Sequence, residues 1–247
     1  MSESAKKDRK IALITGGNKG IGFEVGRQLG RAGMLVLLGA RNEKLGEVAA
    51  AKLREEGAEA RFLLLDLSGN DTISKAAEWI ASEYRRLDVL VNNAGISDPA
   101  DGSPDKADIA AVRRVFETNF FATLAVTQAM LPLVRKSEAG RIVNVSSGLG
   151  SLSYNGDPNW EFASVKRMGY CGSKAALNMM TVQLAFELRG TPIKVNAANP
   201  GFTATDLNQH RGTQTVQEGA AETVRLALLP ADGPTGGFFD RFGANPW

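Results

Sequence analysis

The fold class is indicated first by Thr15-Gly16-Gly17-Asn18-Lys19-Gly20-Ile21-Gly22. This stretch joins the first apolar run of the chain to its first amphipathic segment. Its glycines show the spacing Gly-x3-Gly-x-Gly. Glycine permits positive φ angles and a close backbone approach, and a helix that starts here presents free N–H groups to a pyrophosphate. The spacing alone is not specific, and an ordinary glycine-rich turn is the alternative. Its position between strand and helix nevertheless predicts a dinucleotide site formed by Gly16, Asn18, Lys19, Gly20, Ile21 and Gly22.

Short runs rich in Val, Ile and Leu alternate with longer amphipathic stretches along the rest of the chain. The runs predict strands that are buried on both faces: Ile11–Thr15, Met34–Gly39, Arg61–Asp66, Val89–Asn92, Arg141–Ser146, Ile193–Ala198 and, more weakly, Gly236–Asp240. The stretches predict helices over Gly20–Ala32, Glu43–Glu56, Asp71–Tyr84, Ala107–Lys136, Tyr170–Arg189 and Thr215–Leu229. This alternation predicts an α/β fold, a Rossmann-type doubly wound parallel sheet of about seven strands with helices on both faces.

The domain organisation follows from the length and from the absence of a linker sequence. The chain has 247 residues, which suits one large α/β domain or two small ones. We predict a flexible polar tail at residues 1–9 and a single domain over 10–247. The stretch Gly148–Gly169 is rich in Gly, Ser, Asn, Asp and Pro and is too long for an ordinary connection, so we predict an inserted segment on the substrate side.

Composition excludes several classes of partner. The net charge of +2 is too small to indicate a nucleic-acid partner, and no run reaches the roughly 18 apolar residues of a membrane span. The single cysteine, Cys171, cannot form an intrachain disulfide, and a zinc cluster cannot be built from it and the single histidine, His210. We expect a cytoplasmic protein without a metal, with Cys171 as a packed thiol and His210 in a solvated loop.

Tyr170 and Lys174 are four residues apart in a predicted helix, so their side chains share one face. A free tyrosine has a pKa of about 10, which is too high for efficient proton exchange at neutral pH. A neighbouring cation lowers this pKa, and we therefore expect Tyr170 to act as a proton donor to a carbonyl oxygen. Without further motifs, an interfacial helix pair would explain the two residues equally well.

The end of the second predicted strand selects between NAD and NADP, because an acidic residue there binds the 2′-hydroxyl and an arginine accepts the 2′-phosphate. The sequence Leu38-Gly39-Ala40-Arg41 contains no acid before Glu43. Arg41 therefore predicts NADPH/NADP+ as the cofactor, with Lys19 as a second cation. The alternative is that both cations are solvated surface residues.

These residues belong to an ordered set that resembles the motifs of the classical short-chain dehydrogenase/reductase family. The set comprises Thr15-Gly16-x3-Gly20-x-Gly22, Asp66, Asn92-Asn93-Ala94-Gly95, Asn119, Ser146-Ser147, Tyr170-x3-Lys174 and Pro200-Gly201. The glycine segment, Thr118-Asn119-Phe120-Phe121 and the enlarged gap before Tyr170 resemble the NADPH-dependent carbonyl reductase branch. The resemblance extends from about Lys10 to the last residue.

The resemblance implies four catalytic residues: Asn119, Ser147, Tyr170 and Lys174. Ser147 would bind the substrate oxygen, with Ser146 as the competing choice, and Lys174 would also bind the nicotinamide ribose. Asn119 would distort its helix and hold a water that links Lys174 to solvent. The alternative for Asn119 is an exposed or back-bonded side chain.

The resemblance also implies the remaining cofactor contacts. Asp66 and Leu67 would hold the adenine, although Asp66 could instead cap the following helix. The segment Asn93, Ala94 and Gly95 would pass the adenine ribose or serve a structural role. Pro200, Gly201 and Thr203 would pass the nicotinamide, with Thr203 on the carboxamide.

Ser147 and Tyr170 are 23 positions apart, which exceeds the short gap of many members of the family. We hypothesise that the inserted segment is a flap whose Trp160 and Phe162 face an apolar part of the substrate. A surface insertion without substrate contact is the alternative. Many members of the family pair through the helices that correspond to Ala107–Lys136 and Tyr170–Arg189, so the resemblance implies a homo-oligomer, or a monomer if the insertion blocks this pairing.

The expected function is NADPH-dependent reduction of a small-molecule ketone, aldehyde or quinone, with Tyr170 as general acid. One alternative is an NADP-dependent dehydrogenase of an alcohol, sugar or steroid, since the same residues serve both directions. A second alternative is a non-catalytic NADPH-binding sensor, which would not require Ser147, Tyr170 and Lys174 together. The resemblance disfavours an enoyl reductase, because in this family the spacing of Tyr170 and Lys174 is that of carbonyl chemistry.

Overall fold

The computed structural model describes residues 9–247, apart from the side chain of Asn70. The flexible tail predicted at residues 1–9 lies outside this range except for its last residue. Arg9 forms an ion pair with Glu59, and its carbonyl accepts a hydrogen bond of 3.1 Å from the Arg86 guanidinium. Arg9 is therefore bonded to the folded chain, and the flexible tail stays a prediction.

One sheet of eight strands forms the centre of the described chain. In chain order the strands are β1 Ile11–Thr15, β2 Leu35–Ala40, β3 Ala60–Leu64, β4 Val89–Asn92, β5 Arg141–Val145, β6 Lys194–Ala198, β7 Phe238–Asp240 and β8 Gly243–Ala244. Their spatial order is β3-β2-β1-β4-β5-β6-β7-β8, and the pairing is parallel up to β7. The predicted Rossmann-type parallel sheet is confirmed. The additional strand β8 is antiparallel to β7, and two small residues give no apolar run that would predict it.

Eight α-helices surround the sheet in the described part of the chain. They are α1 Gly20–Arg31, α2 Glu43–Glu55, α3 Asn70–Tyr84, α4 Ile109–Phe116, α5 Thr123–Val134, α6 Leu152–Gly156, α7 Met168–Glu187 and α8 Val216–Ala227. Helices α3, α5 and α7 share one apolar core with the sheet, and α1, α2 and α8 share another. The sheet therefore has helices on both faces, as predicted. Within residues 9–247, no helix is long and apolar enough to cross a membrane.

The helix predicted over Ala107–Lys136 is wrong as a single element. A π-helical turn at Glu117–Ala122 separates α4 from α5. This turn contains Asn119, whose side chain is buried and whose amide bonds both the N–H and the carbonyl of Ile96. The segment after β4 thus holds the helix at this point, where π-helical geometry accommodates an extra residue.

The strand order reverses beside β1, because β2 lies on one side of it and β4 on the other. In open parallel sheets the crevice at such a reversal, outside the carboxyl ends of the strands, binds ligands. The glycine turn follows β1 and the Asn92-Asn93-Ala94-Gly95 segment overlaps the end of β4. Ser146-Ser147 follows β5, and Pro200-Gly201 follows β6 after Asn199. The fold therefore brings the separate motifs of the sequence to one edge.

Candidate active site

Tyr170 is positioned by an aspartate that sequence reasoning missed. Helix α7 begins at Met168, two residues earlier than predicted, and Arg167 before it offers no side-chain cap. The buried carboxylate of Asp101 replaces the cap, since it accepts 2.8 Å hydrogen bonds from the N–H groups of Gly169 and Tyr170. Asp101 lies 69 positions before Tyr170, so no local capping pattern reveals it. Its contacts fix the first turn of the helix that carries Tyr170.

Tyr170 and Lys174 lie on one face of α7, as predicted. The ammonium nitrogen Nζ of Lys174 is 5.8 Å from the centroid of the Tyr170 ring, and it donates a 2.7 Å hydrogen bond to the carbonyl of Val145. Lys174 is buried, and this burial lowers its pKa to about 8. The Tyr170 side chain is also largely buried, and the side chain of Ser147 lies next to its hydroxyl.

The predicted direction of the Tyr170 pKa is wrong. Burial raises this pKa to about 12, although the neighbouring Ser147 acts in the opposite direction. The cause is desolvation of the phenolate, which raises the pKa by more than the neighbouring groups lower it. Tyr170 is therefore the neutral phenol at neutral pH, because the neighbouring groups do not outweigh the effect of burial on its pKa.

Asn119 joins the π-helical turn to the helix of Tyr170. Its Nδ2 donates a 3.1 Å hydrogen bond to the Ser173 hydroxyl, which donates in turn at 2.8 Å to the Tyr170 carbonyl. Asn119 is only 1% exposed, which excludes the alternative of an exposed side chain. A Cβ on Gly95 would lie 3.4 Å from Asn119 Oδ1 and 3.6 Å from Lys174 Nζ. The structure thus brings Asn119, Gly95 and Lys174 together beside the carboxyl end of β4.

The two neighbouring serines after β5 point to different surroundings. Ser146 is buried and donates a 2.6 Å hydrogen bond to Asn178 Oδ1. Ser147 lies next to Tyr170 and lines a cavity of about 300 Å³. The choice between the two serines that the sequence left open therefore falls on Ser147 as the one facing the site.

The glycine turn has the geometry of a phosphate cradle. Gly16 and Gly20 have φ angles of 64° and 56°, in the left-handed region that favours glycine. Asn93 Nδ2 supports the turn by donating to the carbonyls of Thr15 at 2.9 Å and Gly16 at 3.3 Å, so this side chain has a structural role. A Cβ on Gly22 would come within 2.4 Å of Asn93 Nδ2.

The residue before α1, Lys19, supplies no side-chain cap to the first N–H groups of the helix. Uncapped helical N–H groups next to a glycine turn are the donors that a pyrophosphate uses. The turn and the start of α1 therefore fit the phosphates of a dinucleotide, and Asn18, Lys19 and Ile21 lie within this segment.

The two cations predicted to hold a 2′-phosphate are both exposed. Arg41 follows β2, and its charge contributes to a lowered pKa of the Asp66 carboxyl. Lys19 instead pairs with Asp206, with 2.5 Å between its ammonium and the carboxylate. A 2′-phosphate would have to compete with Asp206 for this ammonium.

Asp66 does not cap the next helix, because α3 has Gly69 as its N-cap. Its carboxylate accepts hydrogen bonds of 3.0 and 2.9 Å from the N–H and hydroxyl of Ser68, which are the main cause of its lowered pKa. Leu67 packs against the core that contains α3. The structure therefore removes the helix-capping alternative for Asp66.

The Thr203 hydroxyl donates a 2.8 Å hydrogen bond to the Pro200 carbonyl, and the side chain is buried against Gly219. Among the described residues, the wall of the cavity beside Ser147 includes Pro200, Gly201 and Phe202 but not Thr203. The contact of Thr203 with a carboxamide accordingly stays a prediction.

The inserted segment contributes aromatic side chains to the wall of the same cavity. Trp160 and Phe162 line it together with Ser147, and their rings meet edge to face at 5.4 Å. Tyr154 stacks on Trp160 with ring centroids 5.1 Å apart. Trp160 and Phe162 therefore lie beside Ser147, and their contact with a substrate stays a prediction.

The remaining residues that the sequence singled out, Cys171 and His210, are not in the wall of the cavity beside Ser147. Burial raises the pKa of the Cys171 thiol, which fits the predicted packed thiol. His210 is exposed and pairs with Asp206 at 2.8 Å between Nε2 and Oδ1, so its loop position is as predicted while its ring has a partner.

Comparison with known proteins decides the family. A family model described as short chain dehydrogenase matches residues 10–215, which is most of the chain. This chain is a short-chain dehydrogenase. It is an oxidoreductase of a family that uses a nicotinamide cofactor and acts on small molecules. The match explains why the motifs occur in this order along the chain and converge at one edge of the sheet.

Similar short-chain dehydrogenases include named reductases. Carbonyl reductase [NADPH] 1 of Mus musculus is 34% identical over an alignment of 281 residues, gaps included, which spans 97% of this chain and 99% of that protein. The structure of salutaridine reductase from Papaver somniferum has a TM-score of 0.81 and 30% identity, covering 94% of this chain and 100% of that one. A structure described as a short chain dehydrogenase from Escherichia coli CFT073 complexed with NADPH has a TM-score of 0.80 and 32% identity, covering 95% and 96% of the two chains.

Proposed function

We propose that this short-chain dehydrogenase reduces the carbonyl group of a small molecule with NADPH, and that Tyr170 is the general acid. The observation that carries the proposal is the largely buried Tyr170 side chain, which lies next to Ser147 at the cavity and on the same helix face as Lys174. A non-catalytic sensor has no need of this arrangement. The similarity to carbonyl reductase [NADPH] 1 supports the direction and the cofactor.

Tyr170 would deliver its proton to the carbonyl oxygen while the Ser147 hydroxyl donates a hydrogen bond to the same oxygen. NADPH, when bound, supplies the hydride for the carbonyl carbon. A phenol with a pKa near 12 is fully protonated at neutral pH, so the donor is ready before the substrate arrives. Two donors that converge on one oxygen stabilise the negative charge that develops there.

Lys174 would act after the proton has left. An ammonium group whose Nζ lies 5.8 Å from the ring centroid favours the phenolate electrostatically. With a pKa near 8, Lys174 also exchanges protons readily in the neutral range. The Asn119 amide, bonded to Ile96 and Ser173, would hold the helix and a water that connects Lys174 with solvent.

The cofactor preference would come from Arg41, with Lys19 as the second cation on the 2′-phosphate. Arginine suits this role because its guanidinium pairs with phosphate in a bidentate manner. Asp66 and Leu67 would contact the adenine, Ala94 and Gly95 its ribose, and Pro200, Gly201 and Thr203 the nicotinamide. The short-chain dehydrogenase that was crystallised with NADPH supports a phosphorylated cofactor.

Trp160 and Phe162 would form the surface that receives an apolar part of the substrate. Aromatic faces in a cavity of this kind favour flat apolar groups, because ring contacts add to the burial of apolar area. We therefore expect aryl ketones, aromatic aldehydes or quinones to be better substrates than small aliphatic ketones.

The cytoplasmic location stays a prediction.

The oligomeric state also stays a prediction, either a homo-oligomer or a monomer. Met179, Val182 and Phe186 form an exposed apolar stripe on α7, on one of the two helices predicted to pair. Size-exclusion chromatography with light scattering distinguishes the two states.

The test is a panel of ketones, aldehydes and quinones assayed with NADPH and with NADH. We expect NADPH oxidation by the wild type, and loss of turnover in Tyr170→Phe with NADPH binding retained in a fluorescence titration. Tyr84→Phe is the matched control, because the buried Tyr84 hydroxyl has no hydrogen-bond partner among the described residues. Turnover retained in Tyr170→Phe would exclude Tyr170 as the acid.

The same panel is run in reverse with NADP+ and alcohols, sugars and steroids. Oxidation of one of these with no reduction of any carbonyl compound would instead identify a dehydrogenase. Binding of NADPH without turnover in either direction would favour a sensor.

A further inference from the structure

Asn199 connects the two loops that flank the cavity. Its side-chain oxygen accepts a hydrogen bond of 3.1 Å from the N–H of Gly148, the residue after Ser147, and another of 3.1 Å from the N–H of Gly201. One amide therefore fixes the spacing between the loop after β5 and the loop after β6. Since the oxygen accepts both of these bonds, the NH2 group of Asn199 is available to donate a further hydrogen bond.

Asn245 extends this connection to the inserted segment. Its side-chain oxygen accepts hydrogen bonds from Asn199 Nδ2 at 3.1 Å and from the Tyr154 hydroxyl at 3.3 Å. Asn245 is 9% exposed, and its backbone N–H donates to the Phe238 carbonyl at 2.7 Å. A buried amide whose oxygen receives two donors is fixed in its orientation, since rotation would bring its NH2 group against other donors.

Tyr154 transmits the position of Asn245 to the aromatic wall. Its ring stacks on Trp160 with 11° between the planes, and Trp160 contacts Phe162 edge to face. Trp160 also rests on the Ser147 loop, because a Cβ on Gly148 would lie 3.2 Å from its Cζ2. The wall is therefore held from both ends, by the Gly148 backbone and by the Tyr154 hydroxyl.

We propose that Asn199, Asn245 and Tyr154 form a polar brace that sets the position of the Trp160–Phe162 wall relative to Ser147, and thereby determines which substrates fit. This inference rests on the proposed function of the cavity. The three residues are positioning residues, because they act through Ser147 and through the aromatic wall. Substrates that reach the wall depend on the brace, whereas substrates that contact only Ser147 and Tyr170 do not.

The test uses Tyr154→Phe, which removes one hydroxyl and keeps the ring that stacks on Trp160. For acetophenone we expect the KM to rise about fivefold, the change that follows from losing one hydrogen bond, with kcat unchanged. For cyclohexanone, which is too small to span the cavity, we expect both constants to be unchanged. The dissociation constant of NADPH serves as a second control and should not move.

Asn245→Ala removes the acceptor of this hydrogen bond and also that of the Asn199 amide, so it should raise the acetophenone KM at least as much and leave cyclohexanone unaffected. Combining it with Tyr154→Phe should raise the acetophenone KM no further than Asn245→Ala alone, because that substitution already breaks the bond of the Tyr154 hydroxyl. A purely structural role would instead lower the melting temperature and affect the two ketones equally. Equal effects on both ketones, or additive effects of the two substitutions, would overturn the brace.

The failure of the brace is distinguishable from the failure of the proposed function. A wild type that turns over none of the carbonyl compounds would exclude the proposed function. The brace would still be tested by the acetophenone dissociation constant, measured from tryptophan fluorescence in the presence of NADP+. A constant that is unchanged by Tyr154→Phe would then refute the brace by itself.

Discussion

Each end of the proposed cofactor site has a lysine, which is buried at the catalytic end and exposed at the phosphate end. At the catalytic end, Lys174 is buried and Tyr170 is largely buried, and desolvation moves the pKa of the phenol up to about 12 and that of the ammonium down to about 8. At the phosphate end, the side chain of Lys19 is 65% exposed and its partner Asp206 is 53% exposed. Water screens charges at such a surface, so ion pairs there contribute little to stability. Burial therefore raises the free-energy cost of the charged lysine at the catalytic end, whereas the exposed lysine at the phosphate end can exchange one anionic partner for another at little cost.

The largest effect should come from Lys174→Met at the buried end. We expect kcat for carbonyl reduction to fall by a factor of about 100 or more, because the charge that favours the phenolate is lost. The free energy of unfolding should nevertheless rise at pH 7. A shift of the Lys174 pKa from 10.5 to about 8 corresponds to a cost of about 3 kcal/mol for the buried charge, which outweighs the lost bond to Val145.

The measurement is urea unfolding combined with steady-state kinetics, and the exposed Lys44 provides the control substitution Lys44→Met. The sign can be checked in the wild type. The folded-state pKa of Lys174 is depressed, so the unfolded chain binds more protons between pH 8 and 10.5 and this group makes stability rise with pH in that window. Lys174→Met should lose that rise. A variant that is both inactive and less stable would contradict the assignment of the cost to the buried charge.

The next effect concerns the pH dependence of the buried end. The rate constant kcat/KM for carbonyl reduction should be level below pH 8 and fall above it, because Lys174 loses its charge there while Tyr170 remains protonated. The expected slope is about one logarithmic unit per pH unit, as for a single essential proton. Lys174→Arg, which keeps a charge at all these pH values, should abolish the decrease near pH 8. A rate that increases through pH 8 would show that a deprotonated group is needed instead.

The two ends also differ in how far the sequence predicts them. Tyr170 and Lys174 are one helical turn apart, so local geometry alone places them together. Asp101, which caps the same helix from 69 positions away, leaves no signal in any window of the sequence. The π-helical turn depends on the contact of Asn119 with Ile96, which exists only in the folded chain. Periodicity therefore predicted one continuous helix there.

The same limit applies at the phosphate end. The cation character of Lys19 is visible in the sequence, but its pairing with Asp206, 187 positions away, is not. The sheet was predictable because β1 to β7 each carry an apolar run with turn residues at its ends. Site residues of one local motif can thus be found from spacing, whereas the residues that hold those motifs in place come from distant parts of the chain.

A smaller effect is expected from Arg41→Asp at the exposed end. The ratio of kcat/KM for NADPH to that for NADH should fall by a factor of about 10 to 100, because a carboxylate repels the 2′-phosphate and binds the 2′-hydroxyl of NADH. The melting temperature should not change, since Arg41 is exposed. Lys75→Asp, an exposed charge reversal on α3 at the opposite face of the sheet, is the control. An unchanged ratio would count against Arg41 as the phosphate ligand.

The smallest effect, and the one that most sharpens the contrast, is expected from Asp206→Asn. The Lys19 ammonium lies 2.5 Å from the Asp206 carboxylate, so a 2′-phosphate has to take the ammonium from an existing partner. Removing the negative charge while keeping the side-chain shape should lower the dissociation constant of NADPH by about threefold and leave that of NADH unchanged, the size of an exposed pair. Raising the ionic strength should reduce the difference, because salt screens charges at the surface. Weaker NADPH binding in Asp206→Asn would reverse the argument, since Asp206 would then hold Lys19 where the phosphate needs it.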